Sequence, residues 1–233
     1  MKLLLLWDID GTLIRSGGAG MRALAVALDS AFGISGSTES IEYSGRTDRW
    51  IMRQIFSRFG LAATEENFAR YAAAYFAALP GQMRNLNASV LPGIRPILDG
   101  AIARGTVGQG LLTGNMRQGA ATKLGYHGLW DYFPFGAFAD DSELRDELGP
   151  HALRRARERY GVDFPPESVW IIGDTPMDIA CARPIGANSL AVATGIHSAA
   201  ELALHRPTAL LENLGDTDAF WKIVGADIQK PET

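Results

Sequence analysis

The stretch LLLLWDIDGTL, residues 3–13, joins five large apolar residues to two carboxylates and a Gly-Thr turn. The apolar run has the length and continuity of a parallel strand that is buried on both faces. Because side chains alternate along a strand, Asp8 and Asp10 would point the same way if the strand continued through both. Two such carboxylates repel each other unless a cation or a proton intervenes. The pair is therefore a candidate for Mg²⁺ binding and two-carboxylate chemistry, with a solvated turn as the alternative.

The composition limits the classes of function. The chain has 233 residues, of which 47% are hydrophobic, enough for one large domain or two modest ones. A net charge of -4 gives no general attraction to nucleic acid or membranes, so an anionic ligand would need a local cation. The single cysteine, Cys181, is typical of a reducing compartment. Because the N-terminal apolar run is too short for a signal peptide or a membrane span, we expect a cytoplasmic protein.

Residues 16–87 carry helical patterns and no strong strand signal. One amphipathic helix reaches about Phe32, a second begins near Thr47 or Asp48, and a third begins at Thr64. The third carries a stripe of large side chains at helical spacing, which predicts core packing: Phe68, Tyr71, Tyr75 and Leu79. This segment is expected to form a smaller, all-helical cap domain.

After residue 91 the pattern alternates between helices and strands. The expected strands are 107–112, 133–138, 169–172 and 189–193, and the tail 228–233 has the composition of a disordered segment. Such alternation predicts an α/β fold with a doubly wound parallel sheet, whose ligand site lies at the carboxyl ends of the strands. Residues 1–15 and 88–233 would form this core domain.

Polar residues follow four of the expected strands, and all four ends should lie along one edge of the sheet. They are Asp8 with Asp10, Thr113-Gly114-Asn115, Asp140 with Asp141, and the run from Gly173 to Asp178. Asp174 and Asp178 are one helical turn apart, so both can face the same cation. The alternative is that they cap and solvate the start of a helix.

Three of these motifs together resemble the haloacid dehalogenase-like hydrolases, over nearly the whole chain. The motifs are Asp-x-Asp-Gly-Thr at residues 8–12, Thr113 after a strand, and Gly-Asp-x-x-x-Asp at residues 173–178. The resemblance is closest to the phosphoglycolate-phosphatase-like branch, which carries a helical cap between the first two motifs.

The resemblance implies a role for each motif residue. Asp8 would be the nucleophile that becomes an aspartyl phosphate, and Asp10 would protonate the leaving alcohol and then activate water. Thr113, with the backbone N–H groups of Gly114 and Asn115, would hold the phosphoryl oxygens.

The resemblance also implies a Mg²⁺ site. Its ligands would be Asp8, Asp174 and the backbone carbonyl of Asp10, with Asp178 as a further ligand or as the partner of one. The residues alone do not distinguish Mg²⁺ from Mn²⁺, because both accept oxygen ligands in octahedral sites.

The third family motif departs from its usual pattern. Arg145 stands where a lysine is expected, and a guanidinium keeps the charge but has a different shape. Lys123 is the alternative, although its position late in a helix favours a solvated face. Counting one Mg²⁺ and Arg145 against four carboxylates leaves one negative charge, so we expect Asp10 to hold a proton.

These features predict a Mg²⁺-dependent phosphatase acting on a small phosphorylated metabolite, such as phosphoglycolate or a sugar phosphate. A sugar phosphomutase shares the same core motifs, and a phosphate-compound sensor without activity is a third hypothesis. Arg46, in Gly45-Arg46-Thr47-Asp48, is expected either to bind the far end of the substrate or to lie in a solvated loop. Both a monomer and a homodimer are compatible with the sequence.

Overall fold

The computed structural model describes residues 1–36, 38, 41–84 and 88–225. Its strands, in chain order, are β1 (Leu3–Trp7), β2 (Ile14–Arg15), β3 (Ser89–Val90), β4 (Val107–Leu112), β5 (Gly136–Ala137), β6 (Val169–Gly173), β7 (Asn188–Val192) and β8 (Ala209–Leu211). Six of them form one parallel sheet in the order β5-β4-β1-β6-β7-β8. The chain therefore has the predicted α/β architecture.

The first strand, β1, lies in the middle of this sheet, between β4 and β6. All five of its side chains are buried. Leu3, Leu5 and Trp7 belong to a hydrophobic cluster on one face of the sheet, and Leu4 and Leu6 belong to a cluster on the other. This two-sided burial explains why the strand is a continuous apolar run instead of an alternating one.

The helices, in chain order, are α1 (Ala19–Phe32), α2 (Asp48–Phe59), α3 (Glu65–Met83), α4 (Ile94–Arg104), α5 (Arg117–Tyr126), α6 (Leu148–Tyr160), α7 (Pro176–Ala182), α8 (Ala199–Leu204) and α9 (Thr217–Ile223). Side chains of α4, α5 and α9 pack in the cluster of Leu3, and those of α6 and α7 pack in the cluster of Leu4. The core of this part of the molecule is therefore a three-layer sandwich. No helix in the described ranges has the length and apolar character needed to span a membrane.

The first three helices have a hydrophobic cluster of their own. At its centre the ring of Phe56 packs against the rings of Phe68 and Tyr71, with centroids 4.9 and 5.5 Å apart. The side chains of Thr47 and Thr64 cap α2 and α3, as their sequence positions predict. The antiparallel pair β2–β3 lies where the chain enters and leaves this helical segment.

Several boundaries differ from the sequence predictions. The strand expected at 133–138 is reduced to two residues, because Trp130–Tyr132 forms a 3₁₀ turn and β5 is a short edge strand. The strand β8 and the helix α9 had no clear sequence signal and were not predicted. The expectation of disorder at 228–233 concerns residues outside the described ranges.

Candidate active site

The carboxyl ends of the three central strands bring most of the expected residues together. Asp8 follows β1, Thr113 follows β4, and Asp174 follows the last residue of β6. Because β1 lies between the other two strands, its two carboxylates face groups from both neighbours. All three residues are buried.

Arg145 connects the carboxylates on the β6 side of this site. Its Nη2 donates to Asp8 Oδ1 at 2.7 Å and to Asp178 Oδ1, and its Nη1 donates to the backbone oxygen of Gly45 at 3.2 Å. The guanidinium lies in the 3₁₀ turn that precedes α6 and is only 8% exposed. Arg145 thus contacts the expected nucleophile, as the sequence interpretation anticipated.

The carboxylates of Asp8, Asp174 and Asp178 form a compact cluster. One oxygen from each lies within 4.8 Å of the others. Thr12 Oγ1 donates to Asp174 Oδ1 at 3.1 Å, and Gly11 gives the chain room to pass beside this carboxylate. Gly11 has φ 87°, and a Cβ there would lie 2.4 Å from Asp174 Oδ2.

The donor set of this cluster fits a hard divalent cation. One guanidinium offsets only one of three buried negative charges, and carboxylate oxygens are the ligands that Mg²⁺ prefers. Asp178 already accepts from Arg145 through Oδ1 and from the backbone N–H and hydroxyl of Thr175 through Oδ2. Asp8 and Asp174 therefore have the freer oxygens for a metal ion.

The pKa values reflect this excess of negative charge. Burial raises the pKa of Asp8 to about 6, with the nearby carboxylates of Asp178 and Asp10 adding to the effect and Arg145 opposing it. Burial, with the charges of Asp8 and Asp178, raises the pKa of Asp174 well above its ordinary value. A bound divalent cation would relieve both costs.

Lys123 forms the other half of the site, which corrects the expectation of a solvated lysine. Its Nζ donates to Asp10 Oδ2 at 2.5 Å and to Asn115 Oδ1 at 2.6 Å, and the residue is 4% exposed. Asn115 Nδ2 also donates to Asp10 Oδ2 at 3.0 Å. The helices of residues 16–87 pack over α5 and bury this lysine. The local sequence of α5 could not indicate this burial, because it depends on a distant part of the chain.

The expectation of a protonated Asp10 is also wrong for this arrangement. Burial favours the neutral acid, but the charge of Lys123 and hydrogen bonds from Lys123 and Asn115 lower the pKa of Asp10. The earlier charge count omitted Lys123, whose positive charge cancels the remaining negative one. Asp10 Oδ1 is buried and has no hydrogen-bond partner among the described residues.

The loop after β4 brings Thr113, Gly114 and Asn115 to the same place. Thr113 Oγ1 accepts from Asn115 Nδ2 at 3.0 Å, while Gly114 and Asn115 line the cavity. Gly114 also meets the helical segment closely, because a Cβ there would lie 2.2 Å from the backbone oxygen of Arg46. Only glycine permits this approach.

The structure does not bring Asp140 and Asp141 into the site. Asp141 accepts from Arg155 at 2.5 and 2.6 Å, and Asp140 accepts from the backbone N–H of Arg117 at 2.6 Å. Both follow the edge strand β5, which is separated from β1 by β4. These two carboxylates stabilise a loop and the start of α5.

The start of α2 docks onto the loop after β4. The backbone N–H of Asp48 donates to Gly114 O at 2.7 Å, and Asp48 Oδ2 accepts from the backbone N–H of Met116 at 2.8 Å. Burial raises the pKa of Asp48 to about 6, although Lys123 and the Met116 N–H oppose the shift. The sequence suggested Asp48 only as a helix-capping residue.

A cavity of about 440 Å³ lies between this docked segment and the strand ends. Asp8, Asp10, Asn115, Lys123, Arg145 and Asp174 line its floor, and the helical segment contributes Met21, Leu24, Arg46, Ile51 and Tyr75. Arg46 lies over the ring of Trp50 at 4.6 Å and 3.7 Å from Glu42. The structure therefore places Arg46 at the cavity, which one of the two sequence interpretations required.

Comparison with known proteins supports the fold and relates the chain to phosphatases. The HAD-hydrolase-like family model matches residues 147–217. The curated protein "Probable phosphatase IndB" of Dickeya dadantii is 24% identical over 97% of this chain and 94% of its own length.

Solved structures share the fold at lower identity. A hydrolase from Pseudomonas syringae has a TM-score of 0.69 at 20% identity, covering 95% of this chain and 98% of its own. A "predicted phosphoglycolate phosphatase" from Haemophilus somnus has a TM-score of 0.69 at 16% identity, covering 94% and 97%. A mutant of CbbY from Rhodobacter sphaeroides in complex with xylulose-1,5-bisphosphate has a TM-score of 0.73 at 17% identity, covering 93% and 96%.

Proposed function

We propose that the chain is a haloacid dehalogenase-like hydrolase that acts as a Mg²⁺-dependent phosphatase. Its substrate would be a small phosphate monoester, hydrolysed through an aspartyl-phosphate intermediate. The observation that best supports this proposal is that two neighbouring carboxylates have different charged neighbours. Asp8 lies against Arg145 in a cluster of negative charge, whereas Asp10 is paired with Lys123.

Asp8 is the nucleophile in this proposal. Arg145 holds Asp8 Oδ1, and no hydrogen bond from a described residue reaches Oδ2. Oδ2 would form a bond to phosphorus as the bond between phosphorus and the alcohol oxygen breaks. Arg145 keeps Asp8 oriented and offsets charge on the phosphoryl oxygens, while Thr113 and the N–H groups of Gly114 and Asn115 would hold those oxygens.

Asp10 moves the protons. Its free Oδ1 would give a proton to the departing alcohol and later take one from the water that cleaves the aspartyl phosphate, which regenerates Asp8. Lys123 favours the carboxylate form needed in the second step. The first step depends on the charge of the bound phosphate, which would raise the pKa of Asp10.

Mg²⁺ would be held by Asp8, Asp174 and the backbone carbonyl of Asp10, with Asp178 orienting Arg145. When bound, it would neutralise charge on the phosphoryl group and help to align it with Asp8. Residues 16–87 would act as the cap over residues 1–15 and 88–233. The cap would exclude water and select the alcohol through the cavity wall, with Arg46 meeting an anionic group at its far end.

Phosphate release from a panel of esters tests this proposal. The panel includes phosphoglycolate, pentose and hexose phosphates, and nucleoside monophosphates, each with Mg²⁺ or with EDTA. We expect metal-dependent release by the wild-type protein and a loss of at least about 10³-fold in Asp8→Asn. Isomerisation of a sugar phosphate without phosphate release would instead indicate a phosphomutase, and binding without turnover a sensor.

A further inference from the structure

Two tyrosines on α3, one helical turn apart, are buried in different ways. The hydroxyl of Tyr71 donates to the backbone oxygen of Leu24 at 2.9 Å. Tyr75 is 1% exposed and lines the cavity, but its hydroxyl makes no hydrogen bond to any residue in the described parts of the chain. This hydroxyl is not among the fully buried polar atoms that lack a partner, so it opens onto the cavity, where a ligand can reach it.

The hydroxyl of Tyr75 lies on the Lys123 side of the cavity. It is 3.8 Å from the point where a Cβ of Gly20 would stand, and Lys123 Nζ is 3.4 Å from the same point. Lys123 in turn holds Asp10, the residue proposed to protonate the leaving oxygen. The hydroxyl of Tyr75 therefore lies near the pair formed by Lys123 and Asp10, which the proposed function puts at the leaving alcohol.

The surroundings of Tyr75 keep its hydroxyl neutral. Burial, with the charges of Asp48 and Asp10, raises the pKa of Tyr75 well above its ordinary value. A neutral phenol can both donate and accept one hydrogen bond. The cap residues Met21, Leu24 and Ile51, which also line the cavity, have apolar side chains.

We propose that Tyr75 is a specificity residue, which hydrogen-bonds to a hydroxyl or carbonyl group of the substrate's alcohol portion, close to the ester oxygen. This inference rests on the proposed phosphatase function. It narrows the substrate to esters of polyhydroxylated or carbonyl-bearing alcohols, and it excludes esters of purely apolar alcohols as preferred substrates.

The test compares Tyr75→Phe with the matched control Tyr71→Phe. Two ester classes serve as probes: pentose and hexose phosphates, whose alcohols carry hydroxyl groups, and phenyl phosphate, whose alcohol portion has none. We expect Tyr75→Phe to lower kcat/KM about tenfold for the preferred sugar phosphate and to leave phenyl phosphate within twofold of wild type. Tyr71→Phe should lower the melting temperature and leave kcat/KM unchanged for both ester classes.

Deoxy analogues of the preferred ester give a second measurement on the wild-type protein. Removing the recognised hydroxyl should cost about the same factor as Tyr75→Phe, and the two changes together should cost little more than one alone. Equal losses on both ester classes, or no loss on either, would overturn the assignment of Tyr75. So would a wild-type protein that tolerates the loss of every hydroxyl and carbonyl group of the ester, whereas a wild-type protein without phosphatase activity would instead refute the proposed function.

Discussion

The two halves of the site differ in how their charges balance. On the β6 side, three buried carboxylates share one guanidinium, and the pKa values of Asp8 and Asp174 are raised. On the β4 side, Asp10 is matched by Lys123, and its pKa is lowered. The end of β1 thus supplies one half in which negative charge exceeds positive charge and one half in which the charges of Asp10 and Lys123 cancel. Phosphoryl transfer needs a cation at the phosphoryl group and a proton carrier at the leaving oxygen, so the two halves suit two different tasks.

Removing Asp174 should have the largest effect, and it tests the proposed metal site on the β6 side. We expect Asp174→Asn to lower kcat about 10³-fold, because a ligand is lost. The same change should stabilise the metal-free protein by about 1–3 kcal/mol, because it removes a buried charge. Thermal melts with EDTA and with Mg²⁺ should show a Mg²⁺-dependent rise in wild type and almost none in the variant.

Asp140→Asn is the matched control, since Asp140 also follows a strand but lies outside the site. It should keep both the activity and the response to Mg²⁺. If Mg²⁺ raised the melting temperature of Asp174→Asn as much as that of wild type, the proposed metal site on the β6 side would be wrong.

Removing Lys123 should have the next largest effect, and it tests the pair of Asp10 and Lys123 on the β4 side. Lys123→Met leaves Asp10, whose side chain is 34% exposed, with Asn115 and Ser16 as neutral hydrogen-bond partners, so we expect kcat to fall about 10²-fold and stability to fall by about 1 kcal/mol. Single-turnover kinetics and denaturant unfolding measure the two quantities. Lys222→Met, on the exposed face of α9, should change neither. A Lys123→Met protein with wild-type activity would show that Lys123 has no part in the proposed proton transfer.

Replacing Asp48 should give the smallest effect. It tests whether the charge of Lys123 also balances the buried carboxylate of Asp48. Its folded pKa of about 6 exceeds the ordinary value of 3.8, so the folded state binds the proton more tightly. Stability should therefore fall as pH rises from about 4 to 7. In Asp48→Asn this part of the pH dependence disappears, and the variant should gain about 2 kcal/mol relative to wild type over that range.

Denaturant unfolding in EDTA, from pH 4.5 to 7.5, measures the difference between wild type and Asp48→Asn. Taking the difference cancels the contributions of Asp8 and Asp174. Asp131→Asn, at an exposed position, should show a flat difference over the same range. A flat difference for Asp48→Asn as well would mean that Lys123 already balances Asp48.

Local sequence patterns were sufficient for the four inner strands of the sheet and for most of the residues at their carboxyl ends. An apolar run followed at once by Asp8, Thr113 or Asp174 predicts a buried strand. It also predicts that the polar residue lies at the carboxyl edge of the sheet. The same logic failed for Asp140 and Asp141, because nothing local distinguishes an edge strand from a central one. It also interpreted Lys123 as solvated, and it correctly predicted Tyr75 as a core residue but not that Tyr75 lines the cavity. Both depend on how the helical segment packs over α5, which is a contact between distant parts of the chain.

The paired strands β2 and β3 have a consequence for how such a protein can change over evolutionary time. Ile14 pairs with Val90 and Arg15 with Ser89, so the chain departs from the sheet and returns to it at adjacent points. A segment with neighbouring ends can be lengthened, shortened or exchanged with little disturbance to the strand order around it. Changes in the helical segment, at Asp48 or Tyr75 for example, would then leave the strand ends that carry Asp8, Thr113 and Asp174 in place.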